Sequence, residues 1–265
     1  MKRIVIGQYY PAESILHRLD ARIKLVGTMF FIVTLFAVNN WLAYGLATLA
    51  LGTVIALSKV PIMFMLRGLR AMLFILLFTA SLNLFLTPGG QILFEFFFVR
   101  VTVEGVSQAV RIALRLVILI IGSTIMTLTT TPIQLTDAIE TLLKPFKKIK
   151  VPVHEIAMMM TIALRFIPTL IEEVDKIMKA QMARGADFDT GGLTQKAKSL
   201  IPLLVPLFIS AFRRADDLAQ AMDARCYRGD INRTKMKIMR FAARDFMAVA
   251  VIAAYGVLLI AIDRL

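Results

Sequence analysis

Four stretches of the chain carry no Asp, Glu, Lys or Arg: Leu25 to Ser58, Ala71 to Phe94, Leu116 to Thr136 and Phe246 to Ile262. A membrane-spanning helix needs about 20 consecutive apolar residues, and the first stretch is long enough for two. Asn39-Asn40 divides it, because both side chains suit turns and would be poorly satisfied in lipid. The pattern therefore predicts five crossings. The first is short unless Lys24 keeps its stem in the apolar layer and snorkels its ammonium outward. No small-x-small cleavage signal follows the first apolar run, so the N-terminal segment is expected to be retained.

Between Thr131 and about Arg240 the chain reads as too charged to span, yet its apolar positions keep a helical period. Thr131, Pro132 and Gln134 form a start signal: an N-cap, Pro at the first helical position and Gln at the third. Leu135, Ile139, Leu142 and Leu143 then make a short apolar face that Pro145 stops. A second helix is predicted from about Val153 to Ala183. Its positions Ile156, Met160, Ala163, Ile167, Leu170, Val174 and Ile177 step by four and three, the seam of a helix that packs on another. Pro168 should bend it, and the same steps reach Gln181 and Arg184. Asp187 to Gly192 reads as a turn. A third helix keeps the phase through Leu200, Leu204, Leu207, Ala211, Leu218 and Ala221, and its next step lands on Arg225. The two long helices thus end alike, in Ala183-Arg184-Gly185 and Ala224-Arg225-Cys226.

Composition agrees with a membrane protein: 58% of the 265 residues are hydrophobic and the mean hydropathy is +0.74, above ordinary soluble domains. The net charge of +13 could suggest nucleic acid. Its distribution points elsewhere. With the loops laid out alternately, 27 of the 31 Lys and Arg fall on one side, the positive-inside bias of membrane proteins. Arg100, Arg111, Arg115 and Arg264 remain for the other. This predicts a multi-pass protein of the bacterial inner membrane with a cytoplasmic N-terminus, an extracytoplasmic C-terminus and no nucleic-acid partner.

Candidate chemistry is sparse. His17 and His154 lie far apart without metal-ligand spacing, and Cys226 is the only cysteine, which excludes an intrachain disulfide and a thiolate cluster. There is no GxxxxGK[ST] phosphate loop, so ATP must be bound elsewhere. No catalytic residue, cofactor or metal site is expected. A self-sufficient transporter usually carries ionisable groups in its spans. Glu95 comes nearest, but beside Pro88-Gly89-Gly90 it reads as a loop at the outer interface. Arg184 and Arg225 stand out instead. Each suits a helix C-terminus electrostatically, and an Arg flanked by small residues can also enter a partner's groove, where its planar fork takes carboxylates and carbonyls.

These residues resemble the transmembrane T component of energy-coupling factor (ECF) transporters, an ABC-type system for vitamin and metal-ion uptake. The resemblance runs essentially full length. It rests on Ser14-x-Leu16-His17-x-Leu19-Asp20-x-Arg22-x-Lys24, on Leu164-Arg165-Phe166-Ile167-Pro168 and on the two Ala-Arg-small triplets. Cys226 replaces the usual Gly or Ser, and Ala21 a frequent Pro. The resemblance implies that Ala183, Arg184, Gly185, Ala224, Arg225 and Cys226 dock two ABC-type ATPase subunits. It also implies a separate substrate-binding membrane subunit, the S component, resting on the long helices. Met158, Met159, Met160, Met178 and Met182 offer flexible apolar contacts for it, or serve ordinary packing.

The expected protein is thus an all-α integral membrane protein with about five transmembrane helices plus long amphipathic cytoplasmic coupling helices. Residues 1–130 would form a membrane region, 131–240 the coupling-helix region and 241–265 a C-terminal span. Its function would be to transmit ATP-driven motion from the ATPases to the S component, without enzymatic activity of its own. The competing reading is a stand-alone permease or membrane enzyme whose cytoplasmic helices lie on anionic lipid.

Overall fold

The computed structural model describes residues 9–86, 92–96, 99–186, 188, 192–229 and 241–263. Its architecture is the expected all-α one, with one short exception. Strands β1 (Ile92–Phe96) and β2 (Val99–Thr102) pair antiparallel, where a loop around Glu95 was expected. Ile, Phe and Val dominate both segments, and such residues favour a pleated backbone. Pro88-Gly89-Gly90 lies outside the described residues, as do Arg264 and all of the expected turn at Asp187 to Gly192 except 188 and 192. The described chain divides into two compact units, one of residues 9–138 with 241–263 and one of residues 139–229.

In the first unit, α1 (Ala21–Ala37) and α2 (Trp41–Ser58) are separated at Val38 to Asn40, as the Asn pair predicts. Asn40 caps α2, its side chain accepting from Leu42 N–H. The helices α3 (Ile62–Leu86) and α4 (Val103–Thr129) both begin well before the charge-free stretches that announced them. For α4 a local cap combines with distant partners. Thr102 caps it by accepting from Gly105 N–H, and the cations of its first turns have partners. Arg115 donates to the Tyr44 hydroxyl at 2.9 Å and the Val38 carbonyl at 2.8 Å, and Arg111 to the Asn39 carbonyl at 3.4 Å. At the same turn Asp263, closing α8 (Ala243–Asp263), accepts from Asn39 and Asn40 N–H. Leu35, Tyr44, Ile118 and Leu259 form the buried core. The helices approach closely at Gly122 and Gly256, where a Cβ would strike the rings of Phe31 and Phe30.

In length and composition, α2, α4, α6 (Val153–Ala183) and α8 could each cross a membrane. The two arms of α3, Ile62–Arg70 and Met72–Phe85, meet at 60° and together could make a fifth span. At 17 residues, α1 reaches only about 26 Å, slightly less than the hydrocarbon layer. That α6 qualifies differs from the reading of the whole 131–240 region as too charged. Its first half is apolar, and the acids and lysines cluster after Ile171.

Helix α5 (Pro132–Leu143) runs from the first unit into the second and opens with the predicted capping box: Gln134 N–H donates to the Thr131 hydroxyl, and Thr131 N–H to the Gln134 side chain. A 3₁₀ helix over Lys144–Ile149 follows at Pro145. Helix α6 continues through Pro168, and α7 (Leu193–Ala224) through Pro202 and Pro206.

Candidate functional site

The two long helices of the second unit run antiparallel. Gln181 near the end of α6 donates to the Pro202 carbonyl near the start of α7 at 3.4 Å. Midway, Glu173 takes the Ser210 hydroxyl and the Arg214 guanidinium. At the far end, Tyr227, just past α7, meets His154 of the first turn of α6 at 3.4 Å, and His154 pairs with the buried Glu140 of α5 at 3.2 Å. Arg184 and Arg225 therefore occupy opposite ends of one helix pair. With 31 residues in α6, those ends are about 45 Å apart.

Both arginines sit in the same local geometry. In α6, Gly185 N–H bonds to the Met182 carbonyl and Ala186 N–H to that of Gln181, both at 3.0 Å. In α7, Cys226 N–H bonds to Asp223 at 2.9 Å and Tyr227 N–H to Met222 at 3.0 Å. These are paired 5→2 and 6→1 bonds, the Schellman ending, which requires a left-handed residue just after the cap. Gly185 (φ +88°) and Cys226 (φ 56°) supply it. Each Arg is the last half-helical residue, and the reversal after it leaves its side chain exposed. The Gly-to-Cys departure thus leaves the cap geometry unchanged. Left-handed backbone is free for Gly and costs other residues about 1 kcal/mol. Gly185→Ala should destabilise the α6 end by about that amount, since open space around Gly185 leaves backbone strain as the only penalty. Cys226→Gly should be neutral or stabilising. Hydrogen exchange at Ala186 and Tyr227 N–H checks both, and equal protection in Gly185→Ala and wild type would contradict the cap argument.

The predicted seams are only partly buried. In α6, Leu170, Val174 and Ile177 are half-buried, whereas Met160, Ala163 and Ile167 are exposed. Among the described side chains of α7 the buried one is Leu203, and Leu200 and Leu204 are exposed together with Ile201, Val205, Phe208, Ile209 and Phe212. Among the methionines, Met159, Met160 and Met182 are exposed and Met158 and Met178 half-buried. On α6 and α7 these exposed apolar residues are left for lipid or for another subunit to cover.

The sequence matches the family described as CbiQ, cobalt transport protein, over residues 12–237. The chain belongs to the CbiQ/EcfT family. Curated relatives named energy-coupling factor transporter transmembrane protein EcfT include those of Thermosediminibacter oceani, 54% identical over 94% of this chain and 93% of its own length, and Clostridium kluyveri, 55% identical over 94% and 92%. That of Bacillus subtilis is 47% identical over 98% of each chain.

For this EcfT-family protein, the structure also gives the N-terminal motif residues their work. His17 Nε2–H donates to the Tyr10 carbonyl at 3.0 Å, which leaves Nδ1 to accept the Ser14 hydroxyl at 2.7 Å. Burial holds the ring below the ordinary histidine range, aided by the Lys24 charge and opposed by the Tyr10 bond. Tyr10 N–H in turn bonds to the Leu128 carbonyl at the end of α4. Asp20 caps α1 and pairs with Arg22 at 2.7 Å, and Arg22 lies 4.2 Å over the Phe241 ring. Burial pushes the Asp20 carboxyl up, but the hydrogen bonds and charge of Arg22, with the charge of Lys24, outweigh it and hold it below the carboxylate range. Lys24 does not snorkel. It is buried, and its ammonium donates to the Thr129 carbonyl at 2.8 Å. The segment before α1 is thereby fastened to the ends of α4 and α8. Sequence reasoning missed Asp245, which is 1% exposed and accepts from Asp20 N–H at 3.0 Å and Ala242 N–H at 2.8 Å. Among the described residues, no group of three His, Cys, Asp or Glu is placed to hold a metal ion.

Proposed function

We propose that this EcfT-family protein is the mechanical coupler of an ECF transporter. Two ABC-type ATPase subunits would dock at Arg184 and Arg225, and a substrate-binding S component would rest on the apolar faces of α6 and α7. The observation that carries this reading is the pair of identically capped, exposed arginines at opposite ends of one antiparallel helix pair. A separation of about 45 Å suits two globular partners side by side, and closure of the two on ATP would drive the helix ends together or apart. Each Arg presents a planar fork to a partner groove, and Gly185 or Cys226 beside it leaves room for close approach. The exposed apolar residues from Leu204 to Phe212, with Met159, Met160 and Met182, support an adaptable membrane partner.

In this reading the N-terminus and the 131–240 region face the cytoplasm and the C-terminus lies outside, as the distribution of Lys and Arg favours. Vitamins or metal ions are the cargo class, with recognition in the S component and ATP hydrolysis in the ATPases. Affinity purification of the tagged chain from native membranes tests the assembly. Two ATPase polypeptides and one small hydrophobic subunit should copurify, and ATP-driven uptake should require all of them. Uptake by this chain alone in liposomes would overturn it.

A further inference from the structure

Within the first unit, α1, α2, α4 and α8 enclose an apolar groove of about 440 Å³, within the range of about 300–1,000 Å³ usual for small-molecule sites. Its lining includes Leu57, Val54, Met247 and Val251, with Gly27 and Gly122. Met247 is 69% and Val251 68% exposed, so the groove opens sideways, toward lipid for a membrane-embedded helix. Arg244 stands at one end of the lining on α8 and Tyr255 at the other. Eleven residues at 1.5 Å each make a depth of about 16 Å, close to one leaflet of a hydrocarbon layer about 30 Å thick.

The charge at the Arg244 end is one-sided. A polar recess lined by Arg18, Glu13 and Lys59 adjoins the groove, sharing Ile15 and Leu57 with it. The acids nearby are engaged: Glu13 by Arg18, Asp20 by Arg22, and Asp245 by two backbone N–H groups. Arg244 and Lys59 make no hydrogen bond or ion pair among the described residues. Arg244 thus lines an apolar slot one leaflet deep and Lys59 the recess that adjoins it, both unpaired among the described residues.

We infer that this groove binds one anionic phospholipid, with an acyl chain along α8 and the phosphate between Arg244 and Lys59. Basic pockets between transmembrane helices select anionic headgroups in this way. A partner's helix fits worse. An apolar helix would leave both cations uncompensated.

Native mass spectrometry tests the site on the assembled transporter in nanodiscs containing phosphatidylglycerol and phosphatidylcholine. The wild type should retain one phosphatidylglycerol per copy of this chain. Arg244→Gln with Lys59→Gln should cut the preference over phosphatidylcholine by about thirtyfold, the effect of two interfacial cations. Arg244→Lys should preserve it. A photo-crosslinking residue at Val251 should capture lipid, and that capture should fall when Val54→Trp fills the slot. Equal retention of both lipids, retention unchanged in the double variant, or capture of a protein subunit at Val251 would each overturn the assignment.

Discussion

Replacing Arg184 and Arg225 together with glutamate is expected to strip both ATPases from the complex and abolish ATP-driven uptake, while the chain still inserts in the membrane. The argument is geometric. Each Arg follows an ordered helix and precedes a left-handed residue, so its direction is fixed by backbone hydrogen bonds rather than by side-chain contacts that the substitution would break. Both side chains are exposed. Charge reversal at each helix end costs only about 1 kcal/mol against the helix dipole, so loss of partner binding would not reflect unfolding. Buried arginines at the centre of interfaces are frequent hot spots, and charge reversal at one should weaken association by at least about a hundredfold. Because the two sites are about 45 Å apart, their effects should add, each single variant weakening one ATPase. Arg→Lys keeps the charge but loses the fork, so those variants should fall between. Copurification yields, read alongside protease protection of the membrane region, report the result. Retention of both ATPases with full uptake would refute the docking proposal.

How much of this was legible beforehand depended on whether the cause was local. The capping box at Thr131 and Gln134, the break at Asn39-Asn40 and the matched helix ends at Arg184 and Arg225 are all set by residues within a few positions of one another. Each appeared where the sequence placed it. The starts of α3 and α4 did not, because a search for charge-free runs cannot know that Arg115 finds Tyr44, 71 residues away. Lys24 failed for the same reason: its partner carbonyl is 105 residues distant. The seams of α6 and α7 were correct in period but misleading about burial. A periodic apolar face shows that something covers it, not that a segment of the same chain does.

Asp245 is the extreme case, and its replacement carries the second large expected effect. Its two oxygens accept N–H groups from residues 225 apart in one case and three apart in the other. One carboxylate thus closes the start of α8 and ties it to the cap of α1. Asp245→Ala leaves two partly buried N–H groups without this acceptor and removes a counter-charge from beside Lys24 and Arg22. A hydrogen bond to a charged group contributes about 1.5–3 kcal/mol, so the loss of two should be about 3–6 kcal/mol. Asp245→Asn keeps one acceptor oxygen but turns an amide N–H toward the other donor, and should recover less than half. The companion Asp20→Ala should cost less, because it loses the α1 cap and the Arg22 pair while the Asp20 N–H bond to Asp245 persists. Thermal unfolding of the purified chain in detergent gives the order: Asp245→Ala lowest, then Asp245→Asn, then Asp20→Ala. If Asp245→Ala unfolded within about 1 kcal/mol of wild type, the bridge would be a bystander, and α8 would have to be held by its apolar packing on α1 and α2 and by the Asp263 bonds to Asn39 and Asn40.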